Sequence, residues 1–202
     1  MSDPLADVPT LGAVASPVAG LELPSSEGIA RVIEADMTGR LVLRTGADGR
    51  DALMGALGSA LSGRINTATA ADGCSALRLG PDEWLLLAGA DCDPWLSARI
   101  SESAKGAAIS LVDVTHRNAG IVVEGPACEA VLATGCPLPL DPDAFPVDRA
   151  TRTLLAKAEI VLWRRAADRF HLEVARSLAS YVVGLLAQAI ADEAAILRSR
   201  TS

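Results

Sequence analysis

Residues 75–88 read SALRLGPDEWLLLA, two apolar runs separated by the four residues Gly80-Pro81-Asp82-Glu83. Proline at the second position of a turn has its φ angle preset, and glycine and aspartate both tolerate turn geometry. The runs 75–79 and 84–88 are each of strand length. This stretch therefore predicts a β-hairpin.

A second hairpin of the same kind is predicted later in the chain. Residues 154–164 alternate in the manner of a strand, 166–168 form a turn, and 169–174 return. A helix with an apolar face at 177–197 follows this hairpin. A helix also follows the first hairpin, with Asp93 as its N-cap and Pro94 at its first position.

The order strand, helix, hairpin, helix thus occurs twice. The first half adds a strand at 41–44 and a helix at 51–61, and the second half adds a strand at 119–124 and a helix at 126–133. Aromatic residues stand at matching places, eleven residues apart in each half: Trp84 with Trp95, and Phe170 with Tyr181. We predict an α+β fold of two pseudo-repeated halves, 29–108 and 109–202, forming one pseudo-symmetric domain.

Residues 1–28 precede these halves as an extended, Pro-rich arm. Four prolines interrupt any helix there, while Leu5, Val8 and Leu11 keep the segment more apolar than a disordered linker. We expect the arm to lie along another surface.

Composition narrows the class of protein. Half of the 202 residues are hydrophobic but only 3% are aromatic, so the core is built of Ala, Leu and Val. The net charge of −7 and a pI near 4.8 argue against binding to nucleic acid or to an anionic membrane. The N-terminus lacks the basic start of a signal peptide, and the uncharged stretch 177–191 is too short to cross a bilayer. We expect a cytoplasmic protein.

Motifs for catalysis or cofactor binding are lacking in the sequence. There is no G-x-G-x-x-G, no phosphate-binding loop ending in Lys-Ser or Lys-Thr, and no G-x-S-x-G. The four cysteines form no C-x-x-C pair and only two histidines are present, which argues against a structural zinc site. We predict free, buried thiols and no catalytic, cofactor-binding or metal-binding residue on this chain.

The segment 112–117, Val-Asp-Val-Thr-His-Arg, is the most suggestive of chemistry. Asp113 and His116 could form an acid–base pair beside Ser110 or Thr115, but in an extended segment they point to opposite faces. The alternative is that they satisfy backbone groups where the two halves join. His171, on a strand, is interpreted as a hydrogen-bonded residue rather than a ligand. Arg164 and Arg165 are expected to flank the second hairpin in solvent, with contact to an acidic partner as the alternative.

Several phrases, in order along residues 75–190, resemble the γ subunit family of heterotetrameric sarcosine oxidase. They are LGPDEWL at 79–85, VDVTHR at 112–117, Gly125-Pro126, VLA at 131–133, GCPL at 135–138, AFP at 144–146, TLLAKA at 153–158, Trp163-Arg164, and Arg176-Ser177 with Tyr181. The resemblance implies a fold related to the folate-binding aminomethyltransferase of glycine cleavage, the T-protein.

The resemblance also implies partners and a reaction. The complex would contain an α subunit with NAD and a folate site, a β subunit with FAD, covalent FMN at their interface, and a small zinc-binding δ subunit. It would oxidise sarcosine to glycine, reduce oxygen to hydrogen peroxide and transfer the one-carbon unit to tetrahydrofolate. The γ chain would be a non-catalytic scaffold that can self-associate when isolated.

Eight residues are candidates for partner contacts or for structural roles in such a scaffold. They are Pro81, Asp82, Trp84, Asp113, His116, Arg117, Phe145 and Arg164. The competing hypothesis is a stand-alone folate-binding protein or folate-dependent enzyme of the T-protein fold. That hypothesis requires a carboxylate in a central cavity, for which Asp113 and Glu124 are the candidates.

Overall fold

The computed structural model describes residues 16–36, 39–71, 73–89, 96–104 and 106–201. Its strands are β1 Ser25–Ser26, β2 Ala30–Glu34, β3 Gly39–Thr45, β4 Thr67–Ala71, β5 Cys74–Arg78, β6 Glu83–Ala88, β7 Ile109–Asp113, β8 Asn118–Glu124, β9 Ala150–Leu155, β10 Ala158–Ala166 and β11 Arg169–Ala175. Its helices are α1 Ala47–Leu57, α2 Leu96–Ser103, α3 Cys128–Ala133 and α4 Ala179–Thr201, with 3₁₀ turns at Gly58–Ser62 and Arg176–Leu178.

The strands form two antiparallel sheets that face each other, with helices on both outer faces. The sheet orders are β4-β5-β6-β3-β7 and β1-β2-β8-β11-β10-β9. Helices α1 and α2 pack on the first sheet around Leu43 and Trp84, and α3 and α4 pack on the second around Ile121 and Phe170. A third apolar cluster, which includes Leu85 and Trp163, lies between the sheets. The α+β prediction is confirmed.

Equivalent strands occupy equivalent places in the two sheets, which confirms the predicted repeat. In each sheet the hairpin strands (β5-β6 and β10-β11) are followed by the strand that begins the repeat (β3 and β8). Trp84 and Phe170 are both the second residue of a returning strand, and both are buried. Trp95 lies outside the described residues, so only this first pair of aromatic positions can be compared.

The two sheets exchange one strand each. β2 precedes β3 in the chain but pairs with β8 of the other sheet, and β7 precedes β8 but pairs with β3. The two pairings end alike, with Ala35 N–H donating to Gly120 O and Val114 N–H donating to Arg40 O. The division of the chain at residue 108 stays a prediction about the repeat, since each sheet contains strands from both sides of it.

Some predicted boundaries were wrong. The strand predicted at 154–164 is two strands, because the chain reverses at Ala156, whose φ is +51°. Alanine and lysine carry no turn signal, and apolar alternation continues through the reversal. The helix predicted at 51–61 is α1, which begins four residues earlier and ends in a 3₁₀ turn.

The described part of the N-terminal arm packs on this chain. Val18 is buried in the core of the six-stranded sheet, and Leu21 and Leu23 pack against it. For these residues the surface along which the arm lies is the chain's own core, which their side chains cover. Residues 1–15 lie outside the described residues.

Helix α4 is the longest helix described, and by length and composition residues 176–200 could cross a membrane. Its apolar face, however, packs on the six-stranded sheet through Val182, Leu186 and Ile190. A helix that covers a sheet in this way is a core helix of the domain. From Ala195 to Arg200 its residues are exposed.

Candidate functional site

Arg164 is the most deeply buried arginine among the described residues, at 1% exposure. Its guanidinium donates to the carbonyls of Leu140 (2.9 Å) and Phe145 (3.1 Å) and pairs with Glu129. It also lies 5.0 Å above the Phe170 ring. The expectation that Arg164 flanks the hairpin in solvent is wrong, because the loop at 140–145 folds over this end of the sheet and encloses it.

Arg78 is the equivalent residue in the first repeat. It lies 5.0 Å above the Trp84 ring and donates to the carbonyls of Gly80 and Pro81, two and three residues further on. Arg164 donates to the carbonyls of Ala166 and Ala167, again two and three residues further on. Each hairpin end is thus closed by an arginine stacked on the aromatic residue across the strand pair. Pro81 and Asp82 are exposed at this turn.

A buried polar network spans the gap between the two sheets. Arg40 Nε of β3 donates to Glu173 Oε2 of β11 at 2.6 Å, and His171 Nε2 lies 2.8 Å from Glu173 Oε1. The Trp163 ring lies beside His171, with centroids 5.8 Å apart. His171 Nδ1 and Trp163 Nε1 have no hydrogen-bond partner among the described residues. This network matches the interpretation of His171 as hydrogen-bonded.

Glu173 stays ionised in this network. Burial by itself would raise the pKa of Glu173, but the hydrogen bond and charge of His171 and the ion pair with Arg40 outweigh burial and lower the pKa. An ionised carboxylate stabilised by two such partners binds a proton weakly near neutral pH. It serves to join the sheets rather than to move protons.

The network breaks the symmetry of the repeat. The residues equivalent to His171 and Glu173 are Leu85 and Leu87, which are apolar and buried. Gly120 makes room for Arg40: a Cβ at Gly120 would lie 2.5 Å from Arg40 Nη2 and 3.0 Å from Glu173 Oε1. One sheet therefore contributes the acceptors, and the other contributes the cation.

The segment 112–117 forms a turn at the end of β7. Asp113 Oδ1 accepts the Thr115 N–H at 2.8 Å, and Arg117 N–H donates to Val114 O. The hydrogen bonds from the Thr115 side chain and backbone lower the pKa of Asp113. Such a carboxylate is a poor general base near neutral pH. No hydrogen bond joins Asp113 to His116, and both side chains are exposed.

A shallow cleft of about 500 Å³ opens beside Glu124. Glu124 pairs with Arg31, whose Nε donates to it at 2.6 Å, and lies 3.2 Å from Arg169 Nε in an ion pair without hydrogen-bond geometry. Arg44 and Glu83 form the equivalent pair in the first repeat with the charges reversed (2.7 Å). Glu124 is thus held by two cations rather than presented to a ligand.

The cysteines that the structure describes, Cys74, Cys128 and Cys136, are free and buried. Burial raises the pKa of the Cys128 thiol to about 11, so it is a poor nucleophile near neutral pH. Within the described ranges, no three His, Cys, Asp or Glu side chains converge to hold a metal ion.

The eight candidate residues divide by burial. Trp84, Phe145 and Arg164 are buried in the two hairpin-end clusters, and Phe145 and Arg164 meet there. The remaining five are exposed: Pro81, Asp82, Asp113, His116 and Arg117. Sequence reasoning missed Arg40 and Glu173. A glutamate between apolar residues in a returning strand was the signal for Glu173, while Arg40 carried none.

Comparison with known proteins places these features in a family. The model of the sarcosine oxidase gamma subunit family matches residues 46–192. Sarcosine oxidase subunit gamma of Corynebacterium sp. (strain U-96) is 31% identical over 162 residues, covering 79% of this chain and 78% of that protein. The subunit gamma of Arthrobacter sp. is 34% identical over 128 residues, covering 63% of this chain and 62% of that protein.

Solved structures agree with this match. A chain of heterotetrameric sarcosine oxidase from Corynebacterium sp. U-96 superposes with a TM-score of 0.79 at 28% identity, covering 89% of this chain and 95% of that chain. Aminomethyltransferase T of the glycine cleavage system from Bartonella henselae superposes with a TM-score of 0.61 at 16% identity, covering 79% of this chain and 45% of that chain, which shows a shared fold. The chain belongs to the sarcosine oxidase gamma subunit family.

Proposed function

We propose that this chain is a non-catalytic structural subunit of a heterotetrameric sarcosine oxidase. Family membership over residues 46–192, with the superposition on a chain of the heterotetrameric enzyme, carries the proposal. Its partners are α, β and δ subunits, and the assembly is cytoplasmic. The α, β and δ chains hold the cofactors of the complex, which are NAD, FAD, FMN and zinc, and the tetrahydrofolate site.

The complex oxidises sarcosine to glycine. Oxygen takes up the electrons as hydrogen peroxide, and tetrahydrofolate takes up the one-carbon unit as methylenetetrahydrofolate. This chain contributes surface and rigidity to the assembly rather than reacting groups.

The engagement of its polar side chains supports a structural role. Glu173 is held by Arg40 and His171, and Glu124 by Arg31 and Arg169. Carboxylates engaged in this way are less available to a pterin or an amine substrate. The two candidates for a folate-binding carboxylate are engaged as well: Glu124 pairs with Arg31, and Asp113 accepts the Thr115 N–H within its own turn.

Co-expression tests the assembly. The α, β and δ chains produced with this chain should elute as one complex that oxidises sarcosine, and leaving this chain out should abolish that complex. A well-folded chain that fails to co-purify with the other three would contradict the proposal.

Two further measurements test whether the role is non-catalytic. The double variant Asp113→Asn with His116→Gln should keep its turnover per assembled complex within about two-fold, whereas loss of a general acid or base costs about 10²–10⁴-fold. Calorimetric titration of the isolated chain with tetrahydrofolate should show no binding. Micromolar binding would favour the folate-binding alternative.

A further inference from the structure

Strand β7, Ile109–Asp113, ends the five-stranded sheet, and among the described residues its outer edge is open. It pairs with β3 on one side, and no other strand of the described residues pairs with it. An open edge presents a row of backbone N–H and C=O groups that can pair with a further strand.

The register shows which groups face outward. Val114 N–H donates to Arg40 O, so in this antiparallel pair Val112 and Ser110 also exchange hydrogen bonds with β3. The alternate residues, Leu111 and Asp113, therefore direct their N–H and C=O groups away from the sheet. The Thr45 N–H fits this pattern. It points away from its β7 neighbour Ile109 and donates to Asp82 O on the other side of β3.

The equivalent edge of the other sheet is covered. β2 occupies there the place of β7, and β1 pairs antiparallel with its outer side. Val32, the equivalent of Leu111, donates its outward N–H to Pro24 O at 2.8 Å. The two sheets thus have equivalent edge strands. In the described residues the edge of β2 is covered by an extended segment, and the edge of β7 is open.

The open edge has few of the features that keep an edge from pairing. Residues 109–113, Ile-Ser-Leu-Val-Asp, include neither proline nor lysine, and Val112 is 50% exposed. Proteins usually protect such edges with prolines, lysines or bulges. Asp113 is the one charged side chain of the strand.

We propose that an extended segment of another subunit of the complex adds to the outer edge of β7 as a sixth strand, as β1 adds to β2. The inference rests on the proposed function. The segment would pair with the outward backbone groups of Leu111 and Asp113, cover Val112 with an apolar side chain, and carry a basic residue near Asp113. A second copy of this chain is the poorer occupant, because each copy carries a net charge of −7.

Residue-resolved hydrogen–deuterium exchange on the free chain and on the assembled complex tests the proposal. The Leu111 amide should exchange at least ten-fold more slowly in the complex. The Val32 amide should be protected in both, since its partner lies within the chain, and it reports that the chain is folded. Unchanged exchange of Leu111 in a complex that assembles and turns over would overturn this proposal and leave the proposed function standing.

Two other exchange results would also overturn it. Protection of Leu111 in the free chain at every concentration would show that the chain covers its own edge. Protection that grows with the concentration of the free chain would show a second copy as the occupant. Failure of the four chains to assemble would refute the proposed function first, and this inference with it.

A pair of surface variants gives a second readout. Val112→Asp places a charge on the edge, and Val147→Asp places one at a site of equal exposure, 49%, away from β7. Val112→Asp should weaken assembly at least ten-fold while the Val32 amide stays protected, and Val147→Asp should not. Equal effects of the two variants on assembly would contradict the proposal.

Discussion

Replacing Arg164 with alanine should destabilise the chain far more than the same change at its equivalent, Arg78. Both arginines stack on an aromatic ring and close a hairpin end through the same two turn carbonyls. They differ in what surrounds them. Arg164 is buried, whereas Arg78 is partly exposed.

The expected loss follows from the groups left without a donor. Without Arg164, the carbonyls of the buried residues Leu140 and Phe145 lose their partner, at about 1–3 kcal/mol each. The lost contact with Phe170 adds about 1 kcal/mol. Glu129 is partly exposed and regains water, so its lost ion pair adds little. The sum is about 3–7 kcal/mol, against about 1–2 kcal/mol for Arg78, whose carbonyl partners Gly63, Gly80 and Pro81 are all at least partly exposed.

Urea unfolding of the isolated chain, followed by far-UV circular dichroism, measures both losses. With a slope of about 2 kcal/mol per molar urea, the Arg164→Ala midpoint should fall by roughly 1.5–3.5 M, and that of Arg78→Ala by about 0.5–1 M. Equal shifts of the two midpoints would refute the reasoning. The two variants differ chiefly in how deeply the carbonyl groups that lose their arginine donor are buried.

Three smaller predictions concern the network between the sheets and a buried thiol. Gly120→Ala should destabilise by about 1–3 kcal/mol by pushing against Arg40, whereas Gly184→Ala, which meets no atom within 4 Å on α4, should be neutral or slightly stabilising in thermal melts. The pKa of Glu173 in the folded chain lies below its usual value of 4.5, so the unfolded chain takes up the proton first as the pH falls. The stability that this carboxylate contributes is therefore present above pH 4.5 and is lost below it. Glu173→Gln should therefore lower the free energy of unfolding at pH 7 by about 3–5 kcal/mol and flatten its acid dependence; an unchanged acid limb would contradict this. Cys128 should resist iodoacetamide in the native chain at pH 8 and react in urea, as peptide mapping would show; rapid native labelling would be the contrary result.

The sequence predicted those parts of the fold that local signals define. The hairpin at 75–88 was found because Gly80-Pro81-Asp82 is a strong turn signal, and α4 because its apolar spacing is regular. The reversal at Ala156 was missed because it carries no turn residue and is held in a positive-φ conformation by pairing on both sides. The predicted repeat depended on the order of elements, which is also local information.

Features that depend on distant partners could not be predicted. The exchange of β2 and β7 depends on pairings between strands far apart in the sequence, and their apolar pattern fits either sheet. Arg164 was expected in solvent because a charged residue beside a turn usually is, and the loop that buries it lies about twenty residues away. Sequence spacing likewise gives no sign that Arg40 and Glu173 meet across the sheets.

The strand exchange also has a consequence during synthesis of the chain. Arg31 of β2 and its partner Glu124 of β8 are separated by 93 residues. At about 5–20 residues per second, β2 leaves the ribosome roughly 5–20 s before the strand it pairs with. In that interval the nascent chain can complete the five-stranded sheet, whose strands all lie between residues 39 and 113, but β2 still lacks β8. The exchanged strand β2 is thus an unpaired apolar segment beside a finished sheet until the second half has emerged.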